Sequence, residues 1–299
     1  MAHELNMNEE GKANMMYTGQ TPWHKLGTYL GENAITAEEA IVAAGMNWEV
    51  STQEISCGGS IVSDFKAIVR GDTQEVLGIR KNKYTPYQNR DAFKVLDPFI
   101  GLNQAVWHTA GVLGKGERIW VLAKLPGQIE VTKNDVIDKY FLLTNSHDGS
   151  TGIKLMFTPI RVVCQNTLQM ALVSGESSIM NVRHTKNHEI KIKQALKIMG
   201  LVEKIAEDFE NDAKKMYEFK MSDADIDNYL ADIITIAGEA KEKVKLYNDK
   251  SYIRYRDYIE GGVGTDIMGV KGSLWGAYNA VTESIDHSTR KIKNELQYK

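Results

Sequence analysis

The stretch that decides the fold is QAVWHTAGVLGKGERIWVLAKLPG, residues 104–127. Two runs rich in β-branched and aromatic residues flank a glycine-containing segment, which is the sequence pattern of a β-hairpin. The stretch DKYFLLTNSHDGSTGIKLMFTPIRVVCQ, residues 138–165, repeats the pattern around Asp148 and Gly149. Because Asp-Gly between two strand-like runs is a strong turn signal, we predict a second hairpin and hence an antiparallel sheet.

Three shorter strand-like runs precede this block. They are WEVSTQEISC at 48–57, IVSDFKAIVR at 61–70 and EVLGIRKN at 75–82, separated by Gly and Asp residues. Runs of this length, broken by turn formers, predict a meander of antiparallel strands. We therefore predict an α+β core domain at residues 34–185, built on a curved antiparallel β-sheet with packed helices.

The helices of this domain are indicated by caps and by apolar spacing. Thr36 followed by Glu39 has the spacing of a capping box, and the next cap is Asn166 or Thr167. Between them, one further helical face is formed by Phe93, Leu96 and Ile100.

Two flanking regions differ in composition from the core domain. Residues 1–33 are polar and Gly-rich, and we predict an N-terminal arm anchored by Trp23 and Leu26. Residues 186–299 are Lys/Glu-rich with apolar residues at helical spacing, which predicts a helical C-terminal region.

Composition excludes several classes of protein. The 299 residues carry 42% hydrophobic residues and a net charge of -3, so any polyanion site must be a local patch. The only two cysteines, Cys57 and Cys164, are interpreted as buried free thiols. The start of the chain shows no secretion signal, and no apolar run is long enough to span a bilayer. We expect a cytoplasmic protein without a metal, a cofactor or a membrane partner.

Several sequence blocks resemble one protein family along almost the whole chain. The blocks are GQTPWHKLGT at 19–28, YTPYQNRDAF at 84–93, TAGVLGKGERIWVLAKLP at 109–126, TNSHDGSTG at 144–152, FTPIRVVCQNTL at 157–168, VRHT at 182–185 and WGAYNAVTESIDH at 275–287. On these blocks the chain resembles the phage/plasmid-like proteins that carry domain of unknown function 932. The resemblance implies a mobile-element protein in a bacterial cytoplasm, encoded near recombination or single-strand-binding genes, and supplies no tested active site.

The most suggestive constellation combines cations with aromatic rings. Cations that alternate with aromatics along a sheet can follow a phosphate backbone while bases stack on the rings, as proteins that bind single strands do. Strand alternation places Arg118 and Trp120 on the same side, which favours this interpretation over a solvated strand face. The predicted nucleic-acid-binding residues are Lys115, Arg118, Trp120, Lys154, Arg161, Arg183, His184 and Lys186.

Other candidate sites have plainer interpretations. His147 and Asp148 could hold a metal or act as acid and base, but a structural turn explains Asp148 better. The segment GGVGTDIMGVKGS at 261–273 lacks the spacing of a phosphate loop and is interpreted as a flexible linker. Trp23 and His24 are predicted to form an arm that locks onto a neighbouring subunit rather than a stacking platform. Trp275 is interpreted as core or as an oligomer seam.

These observations lead to three hypotheses. The first is a non-enzymatic, homo-oligomeric protein that binds or anneals single-stranded DNA, with RNA as the alternative ligand, in mobile-element DNA metabolism. The second is a non-enzymatic phage protein that binds a component of host defence or a host enzyme. The third and least favoured hypothesis is a metal-dependent hydrolase at His147 and Asp148.

Overall fold

The computed structural model describes residues 4–32, 35–101, 105–163, 165–174, 180–187, 202–236 and 246–287. Within these ranges the chain forms ten strands and seven helices. The strands are gathered into a seven-stranded sheet and a three-stranded sheet. The predicted α+β class is therefore confirmed.

The seven-stranded sheet contains both predicted hairpins. Its order is β10-β9-β8-β7-β6-β1-β2, antiparallel except for the parallel pair β1 and β2. Leu113 pairs with Arg118 at the first turn, and Gly149 has a φ of 67° at the second. The strands are β1 (Met15–Tyr17), β2 (Thr28–Tyr29), β6 (Val106–Leu113), β7 (Arg118–Thr132), β8 (Asp135–Ser146), β9 (Ile153–Thr158) and β10 (Met180–Val182).

The predicted meander forms the three-stranded sheet. It consists of β3 (Val50–Cys57), β4 (Ser60–Arg70) and β5 (Val76–Lys81), all antiparallel and in the order β3-β4-β5. The side-chain amide of Gln88 extends this sheet at Val50, because its Oε1 accepts from the Val50 N–H and its Nε2 donates to the Val50 carbonyl, each at 2.9 Å.

Local capping predicts the start of the first helix, but not of the helix Gln165–Ser174, which begins before the predicted caps Asn166 and Thr167. Thr36 accepts from the Glu39 N–H at 3.2 Å, while the Glu39 carboxylate accepts from the Thr36 N–H at 2.8 Å, so the capping box is confirmed. Part of the predicted long C-terminal helix, residues 188–201, lies outside the described residues. The helices are α1 (Ala37–Ala43), α2 (Asn89–Gly101), α3 (Gln165–Ser174), α4 (Val202–Glu218), α5 (Asp223–Ile236), α6 (Lys250–Gly261) and α7 (Leu274–Asp286).

Both faces of the large sheet are covered. Alternation along β7 sends Ile119 into a cluster with residues of α1, α2 and the small sheet, and Trp120 into a second cluster with residues of β1 and α3. Further along β7, Ile129 and Val131 pack with residues of α4 and α7. The N-terminal segment supplies β1 and β2, and the C-terminal helices cover part of the sheet.

Candidate functional site

Two residues predicted to bind a polynucleotide are buried. The Trp120 side chain is completely buried, and its indole N–H donates to the Thr109 Oγ1 at 3.1 Å. His184 is 8% exposed and stacks on Tyr84, with ring centroids 4.7 Å apart. The prediction that these two rings face a ligand is wrong, because the hydrophobic gain of burying them holds them in the protein interior.

Arg161 is engaged within the chain. Its guanidinium donates to the backbone carbonyls of Thr18, at 3.3 Å, and Gln20. Burial lowers the pKa of Arg161, although Tyr140 and Asp138 nearby act in the opposite direction. The side chain thus fastens the N-terminal segment to the sheet, which contradicts its predicted place on an open surface.

The remaining predicted cations of the first hairpin have carboxylates nearby. Lys115 lies 3.6 Å from Glu75 in an exposed ion pair. Arg118 lines a cavity of about 520 Å³ together with Glu4, Glu117 and Asp148. An acidic lining of this kind disfavours a phosphate. The predicted shared face of Arg118 and Trp120 agrees with the strand register, but that face is not an open cationic surface.

Lys154 lies on the same sheet face as Trp120, because each of the two pairs with Thr144 across β8. It is partly buried and already has a partner within the chain. Lys154 therefore does not extend an open basic surface.

Among the described residues, Arg183 and Lys186 are the predicted cations that are exposed and form no ion pair. They are joined to another part of the chain by the Thr85 N–H, which donates to the His184 carbonyl at 3.3 Å. This bond brings the segment that carries Arg183 and Lys186 next to the segment that carries Lys83, which is also exposed.

The loop between β8 and β9 joins the same region. The Tyr84 hydroxyl donates to the carbonyls of Ser146 and His147 at 3.3 and 3.1 Å. Burial raises the pKa of Tyr84, and the charge of Asp148 raises it further, so the hydroxyl stays protonated and able to donate. Gly149 lies against both Arg80 and Tyr84, in a backbone conformation that side chains rarely adopt.

We call the cations of these joined segments the cationic surface, defined by Arg80, Lys81, Lys83, Arg183 and Lys186. Arg80 and Lys81 are adjacent on β5 and project to opposite faces of the small sheet. The three segments that meet here, 80–85, 147–152 and 181–186, contain these five cations and one carboxylate, Asp148. That carboxylate caps its own turn by accepting from the Ser150 N–H at 2.9 Å. In the part of the chain that the structure describes, none of the five cations forms an ion pair.

His147 has a structural position. Asn89 donates its amide N–H to the carbonyls of Met46 and Trp48, so its Oδ1 is free to accept from His147 Nε2, at 2.8 Å. Burial lowers the pKa of His147 to about 3, and the neighbouring His184 adds to the shift. Over the described ranges, no group of three His, Cys, Asp or Glu residues could hold a metal ion. The hydrolase hypothesis gains no support from this geometry.

The predicted subunit contacts are made inside the chain. Trp23 packs on His287 with ring centroids 5.0 Å apart, and His24 Nε2 lies 3.1 Å from the Val163 carbonyl. Trp275 is 2% exposed, and its indole N–H donates to Asp135 at 2.6 Å. Trp23 and His24 thus hold the N-terminal segment within the chain, their contact with a neighbouring subunit stays a prediction, and Trp275 belongs to the core.

The Gly-rich segment is held by a carboxylate. The N–H groups of Val263 and Gly264 donate to Glu283 at 3.0 and 2.9 Å. These backbone donors are the groups that a phosphate loop would offer to a ligand, and here a side chain of α7 occupies them. The segment is thus a fastened loop instead of the predicted flexible linker.

One cluster of titratable residues was missed by the sequence analysis. His108 Nε2 lies 3.4 Å from the Tyr140 hydroxyl, which lies 3.3 Å from Asp138 Oδ2. Lys124 donates to the same carboxylate at 2.7 Å. Burial lowers the pKa of His108 to about 3, and the charges of Arg161 and Lys124 add to the shift. The cluster depends on irregular strand pairing at His108 and after Lys124. Pro126 and Gly127 are a sequence signal for the second irregularity, whereas the sequence around His108 gives none for the first.

One of the two cysteines predicted to be buried is exposed. Cys57 is exposed at the end of β3, so that prediction is wrong for it. Cys164 lies outside the described residues.

Comparison with known proteins identifies one family. A family model described as a domain of unknown function (DUF932) matches residues 76–298. No curated protein and no solved structure matches the chain. Among the described helices, none combines the length and the apolar character needed to cross a bilayer. Because the matched segment covers more than half of the sequence, the chain belongs to the DUF932 family.

Proposed function

We propose that this protein binds single-stranded nucleic acid, with DNA as the preferred ligand, through the cationic surface. The observation that carries the proposal is that the segments of Lys83, Arg183 and Lys186 adjoin, and that these three cations are exposed and without an ion pair in the described structure. The resemblance to phage/plasmid-like proteins supports a role in the DNA metabolism of a mobile element, in a bacterial cytoplasm.

Electrostatics make this surface suited to a phosphate backbone. A cation that forms no ion pair can bind a phosphate without first giving up a carboxylate partner. When it binds, counterions are released from the polynucleotide, and this release favours association. The net charge of -3 does not oppose this, because charges separated by more than about 10 Å are largely screened at physiological salt.

Binding of this kind needs no catalytic group. The titratable clusters at His108 and His147 are buried and hydrogen-bonded, so neither offers an accessible acid or base. The proposed surface keeps Arg183 and Lys186 from the sequence prediction and replaces the others with Arg80, Lys81 and Lys83.

The experiment is a titration of labelled single-stranded DNA at several salt concentrations. The double variant Lys83→Ala/Arg183→Ala is compared with the control Lys133→Ala/Lys215→Ala, which removes two exposed cations elsewhere. We expect the first variant to bind at least ten-fold more weakly, and its log–log salt slope to fall by about 0.7 for each lost phosphate contact. The control should bind like the wild type. Equal affinity for all three proteins would refute the proposal.

A further inference from the structure

An apolar patch adjoins the cationic surface on the outer face of the three-stranded sheet. Phe65 pairs with Lys81 across β4 and β5, and Ala67 pairs with Ile79. Residues two apart on a strand, and their direct partners, share one face, so Phe65, Ile79 and Lys81 lie together. Phe65 is 38% exposed and Ile79 is 52% exposed.

The opposite face of the same sheet explains why this patch is open. Ile68, next to Ala67 on β4, is completely buried in the core cluster with residues of α1 and α2. The strand alternation that buries Ile68 turns Phe65 and Ala67 towards solvent. Water contact at a phenyl ring and an isoleucine is unfavourable, and neighbouring exposed apolar groups are typical of a binding surface.

The patch and the cationic surface are continuous along the chain. Lys81 belongs to both, and Lys83 follows two residues later. The Asn82 N–H donates to the Asp64 carbonyl at 3.1 Å, which holds the segment between the two lysines against β4 beside Phe65. A phosphate held by Lys81 would therefore carry its base close to the Phe65 ring.

We propose that Phe65 is a base-stacking residue, with Ile79 as an apolar flank, so that the surface takes unpaired bases and discriminates against duplex. This inference rests on the proposed function. Aromatic rings stack with bases of any type, whereas bases in a duplex already stack on each other and present mainly their edges. The cations then supply affinity for any polynucleotide, and Phe65 supplies the preference for a single strand.

The test compares Phe65→Ala with Phe65→Trp against one mixed-sequence DNA strand and its duplex. The control is Phe219→Ala, which removes another exposed phenyl group, 57% exposed, at the end of α4. We expect Phe65→Ala to lower single-strand affinity about ten-fold, with duplex affinity and the salt slope unchanged. Phe65→Trp should restore binding, and its added indole fluorescence should be quenched by the strand.

The outcomes separate the two proposals. If Lys83→Ala/Arg183→Ala weakens binding while Phe65→Ala does not, the stacking role is overturned and the proposed function stands. If neither variant changes binding, both fail. If Phe65→Ala leaves binding intact but shifts the protein to a smaller species in size-exclusion chromatography, the patch is a contact between copies of the chain, and the stacking role is overturned.

Discussion

The Thr85 N–H donates to the His184 carbonyl at 3.3 Å and so joins the segment after β5 to the segment after β10. The stack of Tyr84 on His184 reinforces this junction. The junction brings the segment of Lys83 next to the segment of Arg183. The proposed binding surface thus depends on a contact between parts of the chain that are far apart in sequence.

Removing the Tyr84 hydroxyl should loosen the cationic surface without changing its charge. Tyr84→Phe leaves the carbonyls of Ser146 and His147 without this donor, which should lower the free energy of unfolding by about 1 kcal/mol. Single-strand affinity should fall a few-fold. Urea denaturation and DNA titration measure the two effects. Tyr29→Phe, at a half-exposed tyrosine, is the control, and equal losses in both variants would contradict the expectation.

Asp138 should stabilise the irregular part of β7 at neutral pH. Burial alone would raise its pKa, but hydrogen bonds from Lys124 and Gln128 outweigh that effect and lower it. A lowered carboxyl pKa gives stability that is present above the ordinary pKa of 3.8 and is lost as pH falls through the folded-state value.

We therefore expect Asp138→Asn to lower the free energy of unfolding by about 1 kcal/mol at pH 7. The difference from wild type should shrink in acid, as the native carboxyl becomes protonated. Guanidinium denaturation across this pH range checks the result, with Asp212→Asn at an exposed helix position as the control. A difference that stays constant down to the lowest pH would contradict the assigned role.

The buried histidines should make the fold less stable below neutral pH. His108 and His147 have pKa values lowered from 6.5 to about 3, chiefly by burial. The unfolded chain therefore binds protons first, so stability is complete above about pH 6.5 and falls as the pH drops towards 3.

Each histidine should contribute a slope of about 1.4 kcal/mol per pH unit over much of this window. In His108→Phe, which keeps a ring against Tyr140, the dependence on pH between 6 and 4 should be about half as steep, whatever its stability at pH 7. Thermal or urea unfolding at several pH values measures this. An unchanged slope would mean that His108 is not kept neutral in the folded protein.

Glu283 should be required to order the Gly-rich loop. Glu283→Ala leaves the N–H groups of Val263 and Gly264 without their acceptor, so amide hydrogen exchange in residues 262–266 should accelerate. We expect a loss of about 1–2 kcal/mol of stability. Glu218→Ala, at an exposed glutamate, provides the comparison. Loop exchange as slow as in the wild type would show that Glu283 does not hold the loop.

Much of the fold could be predicted because its signals are local. The turn at Asp148 and Gly149 and the capping box at Thr36 involve residues within a few positions of each other, so their geometry follows from backbone preferences and short hydrogen bonds. The candidate site could be predicted only in part. Arg183 and Lys186 of the proposed surface were named from the sequence, whereas Lys83 was not, because nothing near it in sequence points to the segment it adjoins.

The sequence by itself determined the strands of the meander and of the two hairpins, and the side of each strand that a residue occupies, but it did not predict β1, β2 or β10. Alternation placed Arg118 and Trp120 on one face, and that relationship agrees with the strand register. Whether the face is open or covered was decided only by the tertiary structure, where residues of β1 and α3 bury Trp120. The physical reason is that burial depends on which distant elements pack together, while a strand pattern records only its own two sides.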